Sequence, residues 1–186
     1  MAQQSEGAPY GTWASPITAA AVAEGALRLG GVLLDGDDIY WIEGRPGDGG
    51  RNVIVRRSPD GRIADVTPAG TNVRTRVHEY GGAAYVVSRG TIFYSEFADQ
   101  ALYRLEPGRR PEQVTVPGDW FYADGSINPS RTRLVCVRED HTTPGREAVT
   151  TLVSLALDGT RSAGRVVAAG HDFYVTPRFS PDGSRL

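Results

Sequence analysis

The sequence predicts an all-β fold, an incomplete β-propeller with a short N-terminal helix. Short β-type runs alternate with turns from residue 31 onward, and these runs recur in groups that resemble four-stranded units. The chain of 186 residues also contains 23 Gly and 12 Pro, which a fold with many tight turns requires. Aligned four-strand units without helices between them favour a propeller over a β-sandwich, which stays open as the alternative.

The first thirty residues differ from the rest and predict an N-terminal arm, residues 1–30, that contains one short helix. Ser15 is expected to be the N-cap, Pro16 to occupy the first helical position, and Gly25 to end the helix after residues 17–24. Residues 31–186 are then expected to form the partial propeller.

The first predicted blade covers residues 31–70. Its β-type runs are 38–43, 52–56 and 63–66. A polar, glycine-rich loop joins the first two runs. Asp60-Gly61 forms the next turn, because an Asp-Gly pair tolerates a positive φ.

Two further groups of four runs follow, and they predict blades over residues 80–117 and 120–169. Their third runs are followed by turns of a similar kind, Pro107-Gly108 and Asp158-Gly159. The spacing of the groups is irregular but close to the roughly 40–50 residues of four-stranded propeller blades. The predicted runs are 83–87, 91–94, 101–105, 113–116, 123–127, 134–137, 152–155 and 165–167.

Residues 171–186 predict a fourth blade that is truncated. The segment 178–186 resembles a strand, a turn and the first residue of a further strand. The sequence therefore predicts about three and a half blades, which cannot close a ring. An unpaired strand edge promotes association, so we expect poor solubility or self-association of the isolated chain.

Composition excludes several classes of function. The net charge of −2 provides no basic footprint for nucleic acid. Cys136 is the only cysteine and lies in an apolar run, so we expect a buried thiol, no disulfide and a cytoplasmic protein. We see neither a signal peptide nor an apolar stretch long enough to span a bilayer, and we expect no membrane partner.

No catalytic motif is present in the sequence. No serine has glycine at both −2 and +2, so a nucleophile elbow is absent. His78, His141 and His171 lie in separate groups, and neither His-x-x-x-His nor Cys-x-x-Cys spacing occurs. We therefore predict no catalytic residues, no metal site and no cofactor.

One polar cluster, residues 74–82, precedes a predicted innermost strand. Its candidate substrate-binding residues are Arg76, His78, Glu79 and Tyr80. In one interpretation, an arginine or the glutamate binds a charged terminus or the polar backbone of a peptide. In the structural alternative, Arg76 and Glu79 pair with each other or with neighbours, while two glycines let the chain turn sharply into the strand.

The segment 75–82, Thr-Arg-Val-His-Glu-Tyr-Gly-Gly, resembles the prolyl oligopeptidase (S9) family of serine peptidases. The similarity is to the bacterial branch of dipeptidyl-aminopeptidase and acylaminoacyl-peptidase type, and it runs along essentially the whole chain. Further segments that carry the resemblance are 10–13, 15–18, 97–103, 133–141 and 172–174.

The resemblance implies a parent protein in which an N-terminal propeller restricts access to a C-terminal α/β-hydrolase domain with a Ser-His-Asp triad. The chain would then be a gating and substrate-selecting segment for short peptides, catalytically silent alone. A non-enzymatic propeller that binds proteins remains an alternative, because one fold serves many functions. A complete small β protein is a third alternative, which the interrupted strand at Leu186 disfavours.

Overall fold

The computed structural model describes residues 9–12, 15–24 and 26–186. Within them, the chain forms three four-stranded antiparallel sheets and one short helix. The predicted all-β class and partial propeller are therefore confirmed. No described helix is long and apolar enough to cross a membrane.

The helix α1 covers Ala19–Glu24, so it begins later than the sequence predicted. The hydroxyl of Thr18 accepts a hydrogen bond from the Ala21 amide at 3.0 Å, which is the geometry of an N-cap. The hydroxyl of Ser15 instead accepts from the Ile17 amide, within the chain before the helix. The prediction of Ser15 as N-cap and Pro16 as first helical residue was wrong, and Gly25 lies outside the described residues.

The first sheet has four strands in chain order, β1 (Arg28–Asp35), β2 (Asp38–Arg45), β3 (Arg51–Arg57) and β4 (Ile63–Asp65). Its first strand was not predicted, because glycines interrupt its apolar pattern and a bulge lies between Gly30 and Leu33. The two glycine positions allow this irregular backbone, and Gly31 has a φ of 60°.

The second and third sheets repeat this meander, each with four antiparallel strands in chain order. In both, the second strand is buried along most of its length. Their strands are β5 (Tyr85–Ser88), β6 (Thr91–Ser95), β7 (Leu102–Leu105), β8 (Glu112–Gln113), β9 (Trp120–Ile127), β10 (Arg133–Asp140), β11 (Val149–Ala156) and β12 (Arg165–Ala168).

Two apolar layers hold the three sheets face to face. Tyr40 and Ile54 of the first sheet pack with Ile92 and Tyr94 of the second. Between the second and third sheets, Phe93 and Leu102 pack with a group that includes Tyr122, Leu134, Cys136 and Val153. The first strands β1, β5 and β9 contact one another in succession, so they form the inner edge of the stack.

Residues 169–186 form no strand in the structure. Their clearest local feature is a turn in which the Gly183 amide donates to the Ser180 carbonyl. Upstream, the Tyr174 carbonyl lies 3.1 Å from His78 Nε2, and the Thr176 amide donates to Asp124. The predicted strand at the start of 178–186 is absent. The backbone at Tyr174 and Thr176 is bound by the side chains of His78 and Asp124 and not by hydrogen bonds to another strand.

Candidate functional site

The candidate site lies on the crossover segment, residues 66–84, which leads from β4 to β5. Within it, residues 76–81 form a compact turn, in which the Glu79 amide donates to the Arg76 carbonyl and the Gly81 amide to the Val77 carbonyl, both at 2.8 Å. His78 and Glu79 have φ values of 58° and 63°. Such left-handed conformations are uncommon outside glycine and persist where the surroundings enforce them.

His78 points into the protein, and its side chain is only 2% exposed. Its backbone amide donates to Glu139 Oε1 at 2.6 Å, and its Nε2 lies 3.1 Å from the Tyr174 carbonyl oxygen. Both contacts come from outside the crossover segment. The side chain of this predicted site residue therefore anchors the turn and does not face solvent.

The buried carboxylate of Glu139, on β10, accepts the hydrogen bond from the His78 amide in this turn. Its second oxygen lies 3.2 Å from Nε2 of His141, and the His141 ring lies against Phe121 with centroids 4.1 Å apart. One carboxylate thus connects the crossover segment to the third sheet. Sequence reasoning did not identify Glu139, although it lies in one of the segments that carry the family resemblance.

Asp124 of β9 fixes the end of the crossover segment in the same way. Its Oδ1 accepts from the Ala83 amide at 2.7 Å, and its Oδ2 accepts from the Thr176 amide at 3.2 Å. A Cβ at Gly82 would lie 3.0 Å from that same Oδ1, so a side chain at this position would crowd the contact. Asp124 was also missed from sequence.

The other three predicted site residues face solvent. Tyr80 is 85% exposed, and Arg76 and Glu79 are exposed beside it on the turn. The guanidinium of Arg76 lies 4.5 Å from the centre of the Phe97 ring, and that of Arg74 lies 4.9 Å from the same ring. No ion pair joins Arg76 to Glu79 among the described residues, and Arg76 contacts the neighbouring Phe97 instead.

A cavity of about 510 Å³ opens between β1 and β5 beside this turn. Of the four predicted residues, Tyr80 lines the cavity and the other three do not. Its polar lining also includes Arg28, Asn52 and Arg74, while its walls include the apolar side chains of Leu33 and Val73. The size matches that of ordinary small-ligand sites.

The exposed groups of the site are of kinds that bind ligands. Cys136 is fully buried in the core, and burial raises the pKa of its thiol to about 12, which disfavours the nucleophilic thiolate. Among residues 9–12, 15–24 and 26–186, no group of His, Cys, Asp and Glu is placed to hold a metal ion. The arrangement can therefore recognise a ligand through guanidinium, phenol and carboxylate groups.

Comparison with solved structures relates the chain to larger peptidases. It is 36% identical to a puromycin-hydrolysing peptidase from Mycobacterium tuberculosis, with a TM-score of 0.83 over 95% of this chain and 29% of that one. Puromycin hydrolase is 36% identical with the same TM-score and 30% coverage. A serine-to-alanine variant of that hydrolase, complexed with PGG, is 35% identical with a TM-score of 0.84. The chain thus spans less than a third of these relatives' length.

TolB from Acinetobacter baumannii, at 14% identity and a TM-score of 0.54, shares the fold alone. No protein-family model matches the chain, and no curated protein matches it. The resemblance drawn from residues 75–82 is nevertheless confirmed by the peptidase structures. Over 95% of its length the chain is therefore similar to a part of these puromycin-hydrolysing peptidases, which agrees with the resemblance to the prolyl oligopeptidase (S9) family.

Proposed function

We propose that the chain is the substrate-selecting propeller segment of a serine peptidase and that it acts with an α/β-hydrolase domain of the same protein. The supporting observation is 35–36% identity with puromycin-hydrolysing peptidases over 95% of the chain. Puromycin and short peptides are accordingly the proposed substrates. The triad chemistry belongs to the hydrolase domain, and the segment described here supplies recognition and restricts access.

Glu79 and Tyr80 are the proposed recognition groups. Both are exposed on a turn whose backbone is bound from the third sheet through Glu139. A turn that is already ordered loses little conformational entropy when a ligand binds, so its contacts contribute more fully to affinity. Glu79 would accept a hydrogen bond from a substrate ammonium, and the Tyr80 phenol would contact the adjoining backbone or side chain.

Arg76 has a supporting role in this proposal. Its guanidinium lies on Phe97, while its amide donates to Gln100 Oε1 at 2.7 Å. The stacked cation keeps its hydrogen-bond donors available at the edge of the ring. His78 would contribute by holding the turn in position from the protein interior.

We also propose that the protein is cytoplasmic.

The experiment uses the protein encoded by the whole reading frame, with puromycin and an aminoacyl-p-nitroanilide as substrates. Glu79→Gln and Tyr80→Ala are compared with Glu147→Gln, which changes an exposed glutamate in the β10–β11 loop. We expect Glu79→Gln to raise KM about tenfold with kcat nearly unchanged, since a charge-assisted hydrogen bond is lost. Unchanged KM in both site variants would show that this turn does not contact substrate.

A further inference from the structure

We propose that the cavity between β1 and β5 binds a short peptide by its C-terminal carboxylate, with Arg28 and Arg74 as the carboxylate ligands. This inference deepens the proposed function, because it assigns a substrate class to the same face of the protein. It rests on the charge, the unpaired donors and the shape of the cavity.

The charged residues that line the cavity are all cationic. Two arginines, Arg28 and Arg74, line the cavity, and no aspartate or glutamate of the described residues does. An ammonium group would therefore meet cations there, whereas a carboxylate would meet two of them. Guanidinium groups match carboxylates in geometry and bind them through paired, charge-assisted hydrogen bonds.

Neither arginine has a carboxylate partner elsewhere in the described part of the chain. The nearby acids are already engaged, since Glu43 pairs with Arg45 at 2.8 Å and both oxygens of Glu96 face the Asn72 amide. The Cζ atom of Arg74 lies 4.9 Å from the centre of the Phe97 ring, and its guanidinium makes no hydrogen bond or ion pair with a described residue. The donors that a carboxylate needs are thus present and unused.

The side chain of Arg28 occupies space that is available because residue 44 is a glycine. A Cβ at Gly44, opposite Arg28 in the β1–β2 ladder, would lie 3.4 Å from Arg28 Nε and 3.2 Å from Asn52 Oδ1. Such distances are tighter than ordinary packing allows. The glycine therefore permits Arg28 and Asn52 to lie together at the cavity wall.

The remaining walls fit the body of a peptide. Leu29 and Val32 provide exposed apolar surface, and Tyr80 provides an exposed phenol. Glu79 lies outside this lining on the adjoining turn, so the carboxylate and the ammonium of one short peptide would have separate partners. This arrangement predicts a preference for peptides with a free C-terminus over the same peptides as amides.

The test measures binding of Ala-Leu-Ala and its C-terminal amide by isothermal titration calorimetry to the whole protein with its hydrolase serine replaced by alanine, so that neither peptide is cleaved, while turnover is measured with the unchanged whole protein. We expect the free acid to bind about tenfold more tightly, since two charge-assisted hydrogen bonds distinguish the ligands. Arg28→Gln and Arg74→Gln should each reduce this preference. Arg57→Gln is the matched control, because Arg57 is exposed on the same sheet and does not line the cavity.

Equal affinity for acid and amide, or a preference that survives in both cavity variants, would overturn the inference. An amidated peptide with an internal aspartate separates a terminal from a side-chain carboxylate, and tighter binding of that peptide than of the free acid would also overturn it. Failure of this inference and failure of the proposed function would give different results. Acid-selective binding without turnover would contradict the proposed function alone, and turnover with equal affinities would contradict this inference alone.

Discussion

Removing the Glu139 carboxylate should destabilise the protein through the crossover segment. Glu139 is 7% exposed and accepts the His78 amide at 2.6 Å, while its other oxygen contacts His141. Glu139→Ala leaves that amide buried without an acceptor. An unsatisfied buried donor costs about 1–3 kcal/mol, and the lost contact to His141 brings the total to about 2–4 kcal/mol.

For a domain of this size, each kcal/mol lowers Tm by about 2–4 °C, so we expect Glu139→Ala to lower Tm by about 4–16 °C. Circular dichroism during thermal unfolding measures the change, and amide exchange of residues 78–81 reports the turn directly. Glu147→Ala, which changes an exposed glutamate in the β10–β11 loop, is the control and should unfold like the unchanged protein. If Glu139→Ala unfolds like this control, Glu139 does not hold the turn.

Three further predictions concern the core and one surface turn. Leu134→Ala should destabilise the layer between the second and third sheets by about 3 kcal/mol, since Leu134 has no exposed surface; urea unfolding measures this. Cys136, whose thiol pKa is raised by burial to about 12, should resist iodoacetamide at pH 8 in the folded protein and react once urea unfolds it. Hydrogen bonds from Ser180 and Ser184 lower the pKa of Asp182 to about 2. The turn should therefore keep its NMR shifts above pH 4 and lose them as the pH falls toward 2, and a midpoint near the ordinary 3.8 would contradict these contacts.

The strands made of continuous apolar runs could be predicted from sequence. The run predicted at 91–94 appears as β6, and the run at 52–56 lies within β3. β1 was missed because Gly30 and Gly31 break its apolar pattern, and only its pairing with β2 makes it a strand. The helix start was misplaced because Ser15 and Thr18 are both capable caps, and local sequence does not determine which one the chain uses.

The candidate site could be predicted only in part. The sequence places Arg76, Glu79 and Tyr80 together because they are close along the chain. The inward orientation of His78 depends on Glu139, 61 residues away, and the anchoring of Ala83 depends on Asp124, 41 residues away. Such long-range contacts leave no periodic signal in either segment, so the rigid support of the turn emerges only from the fold.

The most direct test of the proposed function compares the 186-residue chain with the protein encoded by the whole reading frame. Both are incubated with puromycin and with a fluorophosphonate probe that labels activated serines. We predict hydrolysis and labelling for the whole protein and neither for the chain alone. Labelling of the 186-residue chain itself would contradict the proposal, as would a whole protein that folds, binds other proteins and neither hydrolyses puromycin nor reacts with the probe.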